Sequence, residues 1–446
     1  MNWIEQLAPW AAAIFNWMLE FSFMYPLIMS ILWMTGSLYY YFYRERREHL
    51  EPSEPPHLPH TPPVSFIVPC HNEGPNIQET IQSLLSQDYP DFEIIAVNDA
   101  STDNTGAVLD AIATVEPRLR VIHFPINQGK AIGLRVATLA SKHEILIGLD
   151  GDALLDPNAT RWLVRHFVTG ARVGAVTGNP RVRNRTTLIG RIQVGEFSSI
   201  IGLIKRAQRI YGRIFTVSGV VAAFRKSAVH QAGYWSEDVV TEDIDISWRL
   251  QINHWDIRYE PNALCWILMP ETFKGLWRQR LRWAQGGIEV LSKHFRSLFK
   301  WRSRRMWIVA LELSVSTFWA YTMALIFTLW IASLIFDLPP PYGSADIPPG
   351  WSGIILGTIC LLQFAISITV DGRYDRRLGR VYYWLIWYPM VYWVIQVLTT
   401  VVAVPRALMR KKGARGTWTS PDRGMRPPVI KNTDKDTEAS NDQASA

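Results

Sequence analysis

From Phe21 to Tyr43 the chain runs through 23 residues without a charge and then meets Arg44, Arg46 and Arg47. About 20 apolar residues suffice to cross a bilayer, and a backbone inside lipid must satisfy its own hydrogen bonds, so an isolated span of this kind can only be a helix. The arginines that close it put the following chain in the cytosol by the positive-inside tendency. Residues 1 to 20 are mildly apolar but carry Glu5, Pro9 and Glu20, which makes them a poor span, and no signal-peptide pattern is visible. Three more apolar stretches, 306 to 336, 351 to 370 and 381 to 404, follow a basic run from Lys300 to Arg305. The loop at 337 to 350 holds no Lys or Arg and reads as external, whereas DGRYDRRLGR at 371 to 380 reads as cytosolic. Three full crossings would leave the tail outside, yet Arg406, Arg410, Lys411, Lys412 and Arg415 argue for inside. One segment is therefore expected to be re-entrant or kinked at Pro389. The region 406–446 reads as a basic stretch followed by a polar, disordered tail.

Between these membrane regions the pattern changes. Residues 51–63 are Pro-rich with no hydrophobic period and read as a stiff linker. From Val64 to about Tyr259, strands alternate with helices: VSFIVPC, FEIIAVND, LRVIHF and ILIGL are short apolar runs, each followed by a turn and a helical pattern. Such repeats make a mostly parallel α/β sheet with both faces covered, whose ligands gather at the carboxyl ends of the strands. Asn98, Asp99, Asp103, Asp150 and Asp152 fall at or just beyond those ends. The first helix is expected to open with Asn76 and Glu79 in a capping arrangement.

Three motifs in this region carry charge in informative patterns. ILIGLDGD releases Asp150 and Asp152 two residues apart at a strand end, a placement that suits Mg2+ or Mn2+, hard cations that take few protein carboxylates and leave their other positions to water and phosphate. TED at 241–243 stands at a helix start, where, for the tripeptide alone, simple capping is the favoured account of Glu242 and Asp243. The segment 273–300 is an amphipathic, interfacial helix, with Phe273, Trp277, Leu281, Ala284, Ile288 and Leu291 on one face. Its QRLRW places Gln279, Arg282 and Trp283 on one side, and a guanidinium beside an aromatic ring suits a diphosphate and a sugar.

The composition agrees with this division. Apolar residues make up 48% and charged residues only 19%, and the 20 tryptophans fit a membrane interface, sugar contacts or both. The net charge of +7 gathers beside apolar spans and no nucleic-acid motif appears. Cys70, Cys265 and Cys360 lie far apart without CxxC or His partners, which supports neither a disulfide framework nor a zinc site.

Taken in order, Asp99, DGD, TED and QRLRW between membrane spans resemble the membrane-integrated, processive branch of glycosyltransferase family 2, the group of cellulose, chitin and hyaluronan synthases. The stretches AVTGNPRVR, QVGEFSSIIGLIKRAQRIYG, TEDIDISWRLQ and LCWILMPETFKGLWRQRLRWAQGG look like the bacterial poly-β-1,6-N-acetyl-D-glucosamine synthases of biofilm matrix. The resemblance implies a cytosolic α/β GT-A-type (Rossmann-like) catalytic domain over 64–272, between an N-terminal membrane region at 1–50 and a C-terminal one at 301–405. It implies UDP-N-acetylglucosamine as donor and a growing polysaccharide as acceptor. A divalent cation, a bacterial inner membrane location and a small accessory membrane subunit are implied as well. By the same resemblance Asp99, Asp150 and Asp152 hold the donor nucleotide, Asp152 as metal ligand. Asp243, with Glu242 beside it, supplies the general base, while Gln279, Arg280, Arg282 and Trp283 cover the diphosphate and the acceptor end.

Two other readings remain open at this stage. A chitin or hyaluronan synthase would use the same groups with another product. A non-catalytic transporter or scaffold would place charges inside its spans, and the C-terminal spans carry little besides Glu312.

Overall fold

The structure is a computed structural model, and it describes residues 3–48, 51–336, 351–411 and 413. The expected external loop at 337–350 and nearly all of the C-terminal tail lie outside the described residues.

Eight strands form one sheet: β1 (Val64–Cys70), β2 (Phe92–Asp99), β3 (Leu119–Phe124), β4 (Ile145–Leu149), β5 (Leu154–Leu155), β6 (Val173–Val182), β7 (Val221–Arg225) and β8 (Asp256–Ile267), in the order β3-β2-β1-β4-β7-β6-β8-β5. The four strands from β3 to β4 are parallel. The parallel expectation fails at β7, which runs antiparallel to both neighbours, and again at β5. The helices Leu188–Phe197 and Lys205–Tyr211 separate β6 from β7, and an apolar period reads the same in either strand direction, so periodicity alone could not reveal that of β7. β1, β2, β4 and β6 are buried along their whole length, the physical reason for their unbroken apolar runs. Successive side chains point to opposite faces: Phe66 joins Ile81, Leu109 and Trp162 on one side, while Ile67 joins Ile95, Leu134 and Phe224 on the other.

The helices are α1 (Trp3–Tyr40), α2 (Arg46–Glu48), α3 (Ile77–Leu85), α4 (Thr105–Val115), α5 (Lys130–Ala140), α6 (Ala159–Val168), α7 (Leu188–Phe197), α8 (Lys205–Tyr211), α9 (Lys226–Gln231), α10 (Glu242–Ile252), α11 (Phe273–Leu298), α12 (Trp307–Ile335), α13 (Trp351–Asp371) and α14 (Tyr388–Met409). Asn76 does begin α3, but its side chain makes no cap bond, and Glu79 turns outward to a bidentate pair with Arg183 at 2.8 and 2.9 Å. The proline-rich segment is held along the sheet domain, since Pro52 accepts from Trp162 Nε1 and Pro62 from the Tyr89 hydroxyl.

Among the described residues four helices are long and apolar enough to cross a membrane. The first differs from expectation: α1 is continuous from Trp3, with Pro9 and Pro26 inside it, so residues 3–20 extend the span. Its 38 residues cover about 57 Å, well beyond the ~30 Å of a hydrocarbon core. The third C-terminal stretch also differs. Leu378–Trp387 is a 3-10 segment, and Pro389 sits in the first turn of α14, where its missing N–H costs nothing, so it starts the helix and does not kink it. Both ends of α14 make long-range contacts, with the helices that follow β6 and β8. Tyr388 donates to Glu196 of α7 at 3.2 Å, and Arg410 meets Glu289 of α11 at 2.7 Å.

A buried ion network joins the membrane helices to the sheet. Arg206 of α8 is gripped by Glu45, just after α1, at 2.5 Å and by Asp371, the last residue of α13, at 2.8 Å; Arg181 of β6 meets the same Asp371 at 2.8 Å.

Candidate active site

The carboxyl ends of β1, β2 and β4 lie on one edge, because β1 pairs in register with both neighbours. The chain leaves that edge through strained turns: Asn72 after β1 and Ala100 after β2 have φ of 57° and 51°, a left-handed region that non-glycine residues seldom adopt. Asp99 is fully buried, and its two carboxylate oxygens accept the backbone N–H of Gln128 at 2.6 Å and of Gly129 at 2.8 Å. It thereby shapes the NQG turn that delivers Lys130 to the start of α5.

Lys130 is the residue that sequence reasoning missed. Its ammonium lies 2.6 Å from Asp150 and 3.2 Å from Glu242, and it donates to the Gly219 carbonyl at 3.2 Å. A signal was present: a lysine at the first position of a helix opposes the helix dipole, so it needs nearby acids to hold it. Here those acids come from β4 and α10, which sit far apart in the chain. Burial pushes the Lys130 amine down, but Asp150 and Glu242 outweigh it and hold the amine above its ordinary range. The TED residues are pushed apart in the same field. Burial and the adjacent Glu242 raise Asp243 to about 6, whereas Lys130, with Arg282, overcomes burial and holds Glu242 below the usual carboxylate range. Two neighbouring carboxylates thus have different tasks available to them: Glu242 a fixed ion, Asp243 a proton acceptor close to neutral pH.

Asp243 also needs close backbone approach. A Cβ on Gly219 would stand 3.0 Å from Asp243 Oδ2, and a Cβ on Gly286 would stand 2.0 Å from Thr241 Oγ1. Gly286 therefore lets α11 lie directly against the TED turn. His294 and Lys293 near the far end of α11 grip Asp245 of α10 at 2.8 and 3.4 Å. QRLRW is held near the TED turn as a result. Arg282 is exposed, and its charge is felt by both Glu242 and Asp243. Gln279 Oε1 is buried with no hydrogen-bond partner among the described residues, an acceptor left waiting. Trp283 is half-buried, with the Arg280 guanidinium 4.4 Å from its ring centroid. Arg280 itself is buried and paired with Glu196 at 2.5 Å, so it faces away from the open edge that Arg282 occupies. Behind Asp243, Lys205 of α8 donates to Thr177 at 2.9 Å; burial pulls its amine down to about 7, although Asp243 opposes that shift.

Asp150 and Asp152 present hard oxygens at the end of β4. Asp152 is buried, and Asp150 Oδ1 is held by the Lys130 ammonium at 2.6 Å, which leaves its second oxygen for another partner. Burial, with Asp150 and Asp152 beside it, raises the Cys265 thiol well above its ordinary range, so that thiol stays protonated and is a poor metal ligand. No group of three or more His, Cys, Asp or Glu side chains stands ready for a metal among the described residues. One or two carboxylates with room for phosphate oxygens is the donor set of Mg2+ or Mn2+, and the site fits such an ion.

The family model described as glycosyltransferase like family 2 matches residues 62–286. A poly-beta-1,6-N-acetyl-D-glucosamine synthase of Staphylococcus epidermidis is 40% identical over 414 residues, covering 92% of this chain and 98% of its own. One from Staphylococcus aureus strain COL is 38% identical over 405 residues, covering 91% and 98%. A solved mannosyltransferase from Pyrobaculum calidifontis, in complex with GDP-Man and Mn2+, has a TM-score of 0.56 over 87% of this chain and 99% of that one; at 19% identity the likeness is one of fold. With its GT-A-type sheet set among apolar helices and its family match spanning the whole catalytic edge, the chain belongs to glycosyltransferase family 2.

Proposed function

We propose that this protein is a membrane-embedded, inverting, processive glycosyltransferase that polymerises N-acetylglucosamine from UDP-N-acetylglucosamine into poly-β-1,6-N-acetyl-D-glucosamine. The observation that carries this reading is the meeting of TED and DGD at one lysine, within reach of the Arg282 charge of QRLRW, with Asp243 raised to about 6 beside an ionised Glu242. The identity to the staphylococcal synthases over nearly their full length supports the polymer and donor.

In this reading Asp243 takes the proton of the acceptor hydroxyl as its oxygen bonds to C1 of the donor sugar. The bond from C1 to the diphosphate breaks on the opposite face, UDP leaves with the electron pair, and the anomeric centre inverts. A base whose pKa lies just below the working pH is ionised yet still basic, and such catalysis is worth about 10² to 10⁴ in rate. Lys130 offsets negative charge at the diphosphate end while fixing Asp150 and Glu242. Arg282 and Gln279 bind the diphosphate, Trp283 stacks on the terminal sugar, and Asp99 shapes the turn under the nucleotide. A divalent cation held by Asp152, with Asp150 beside it, would neutralise charge on the departing UDP as a Lewis acid. The four apolar helices among the described residues support a multi-pass place in the bacterial inner membrane, with the catalytic edge in the cytosol. Working against its own membrane helices, the enzyme can extrude a polar chain that could not cross lipid unaided. A small accessory membrane subunit belongs to the same proposal.

The test is incorporation of radiolabelled UDP-N-acetylglucosamine by membranes carrying the wild type or Asp243→Asn, with Mg2+, Mn2+ or EDTA, followed by a hydrolase specific for β-1,6-linked N-acetylglucosamine. Metal-dependent polymer that the hydrolase cuts and the variant does not make is the expected result. Wild-type polymer from the variant would remove Asp243 as base, and hydrolase-resistant polymer would remove the β-1,6 product.

A further inference from the structure

The stretch QVGEFSSIIGLIKRAQRIYG contains a carboxylate that the reaction as described does not use. Glu196, near the end of α7, is 3% exposed, and burial pushes its carboxyl up even though Arg280 and Tyr388 oppose the shift. Its two oxygens are spent on two different elements. Oε2 meets Arg280 of α11 at 2.5 Å, and Oε1 accepts from the Tyr388 hydroxyl at the start of α14 at 3.2 Å. Arg280, itself 4% exposed, spreads its guanidinium 4.4 Å from the centre of the Trp283 ring, and Phe197, the residue after Glu196, packs on the same ring at 6.4 Å. Arg280 Nε is buried with no hydrogen-bond partner among the described residues, so Glu196 is the group that sets the plane of the guanidinium.

We propose that Glu196 is a positioning residue for the acceptor: it locks Arg280 beneath Trp283 and ties that ring to membrane helix α14 through Tyr388. This rests on the reading of Trp283 as the stacking platform for the terminal sugar. The physical logic is that an indole ring on a helix surface rocks about its side-chain torsions unless something fixes one face. A planar cation does so by stacking, but only while its own orientation is fixed. A carboxylate on a rigid neighbouring helix supplies that orientation. Because the same carboxylate holds α14, movement of the membrane helices is transmitted to the ring that carries the chain end. The growing polymer and the donor are thus controlled separately: Lys130 and Arg282 on the donor side, and the Glu196–Arg280–Trp283 stack on the acceptor side.

The experiment compares Glu196→Gln, Tyr388→Phe, Arg280→Gln, the double variant Glu196→Gln/Arg280→Gln and Trp283→Ala in native membranes, each normalised to folded protein. The readouts are KM for UDP-N-acetylglucosamine, polymer length, and UDP released per sugar incorporated. Glu196→Gln is expected to keep the donor KM within about twofold, shorten the polymer several-fold and raise UDP release per sugar, with Tyr388→Phe showing the same pattern more weakly. The double variant should be no worse than Arg280→Gln alone, because residues acting as one unit are not additive. If Trp283→Ala alters length and coupling while Glu196→Gln does not, the positioning role falls and the platform stands. If Trp283→Ala leaves both unchanged, the platform reading falls and the positioning role with it. A Glu196→Gln loss that merely follows the amount of folded protein, with polymer length unchanged, overturns the proposal in favour of a plain structural ion pair.

Discussion

Replacing Glu242 with glutamine separates the two carboxylates of TED without disturbing their packing. Asp243 stands at about 6 where an ordinary aspartate stands at 3.8, with burial the larger cause and the Glu242 charge the next. A displacement of two pH units corresponds to about 3 kcal/mol of preference for the protonated form. Glutamine keeps the volume and burial and removes only the charge, so it recovers part of this, on the order of 1.4 kcal/mol or one pH unit. Lys130, released from Glu242, pulls Asp243 in the same direction. Because the folded protein raises this pKa, the base is protonated and idle at low pH and becomes active as pH rises through the folded value. The acid limb of kcat/KM should therefore move from about pH 6 to about pH 5, and at pH 5 the ionised fraction of the base should rise from about 9% to about 50%. The assay is sugar incorporation across about pH 4.5 to 8 at subsaturating donor, a condition that reports the free enzyme. Overall rate is expected to fall, since Lys130 loses a partner, but amplitude does not bear on the argument. An acid limb that stays in place or moves upward would refute it.

Two further outcomes follow from packing and charge. Gly286→Ala would drive a methyl to within 2.0 Å of Thr241 Oγ1, forcing α11 off the TED turn; a displacement of about 1 Å at a reacting site costs about 10²-fold in rate, and Thr241→Ala should restore part of that activity in the double variant. Arg206→Ala strands Glu45 without its cation in the interior and leaves Asp371 to Arg181 alone, a loss of about 3–5 kcal/mol that should appear as a lowered melting temperature of the detergent-extracted protein, with the donor KM of the surviving fraction unchanged.

Much of the site was legible because its chemistry is concentrated at chain positions that local pattern already marks. Asp99 and Asp150 end apolar runs, so strand periods alone placed them at the sheet edge, whereas period put Glu242 and Asp243 only at a helix start and the family resemblance supplied their role. QRLRW could be assigned one face of a helix from spacing. Spacing could not show that Arg280 belongs to a different environment from Arg282, because that division depends on Glu196 arriving from a separate helix. Lys130 was missed for the same reason: its partners lie 20 and 112 positions away, and only the closed sheet brings Asp150 and Glu242 to it. The direction of β7 was hidden because a strand's apolar pattern is identical in either sense. Nor could spacing show that the two ends of α14 meet α7 and α11, through Tyr388 with Glu196 and Arg410 with Glu289. What the chain encodes locally is where backbone hydrogen bonds must close and where charge may be left exposed. Which charges neutralise one another is decided only when distant elements pack, since a Coulombic partner acts through space and carries no period along the chain.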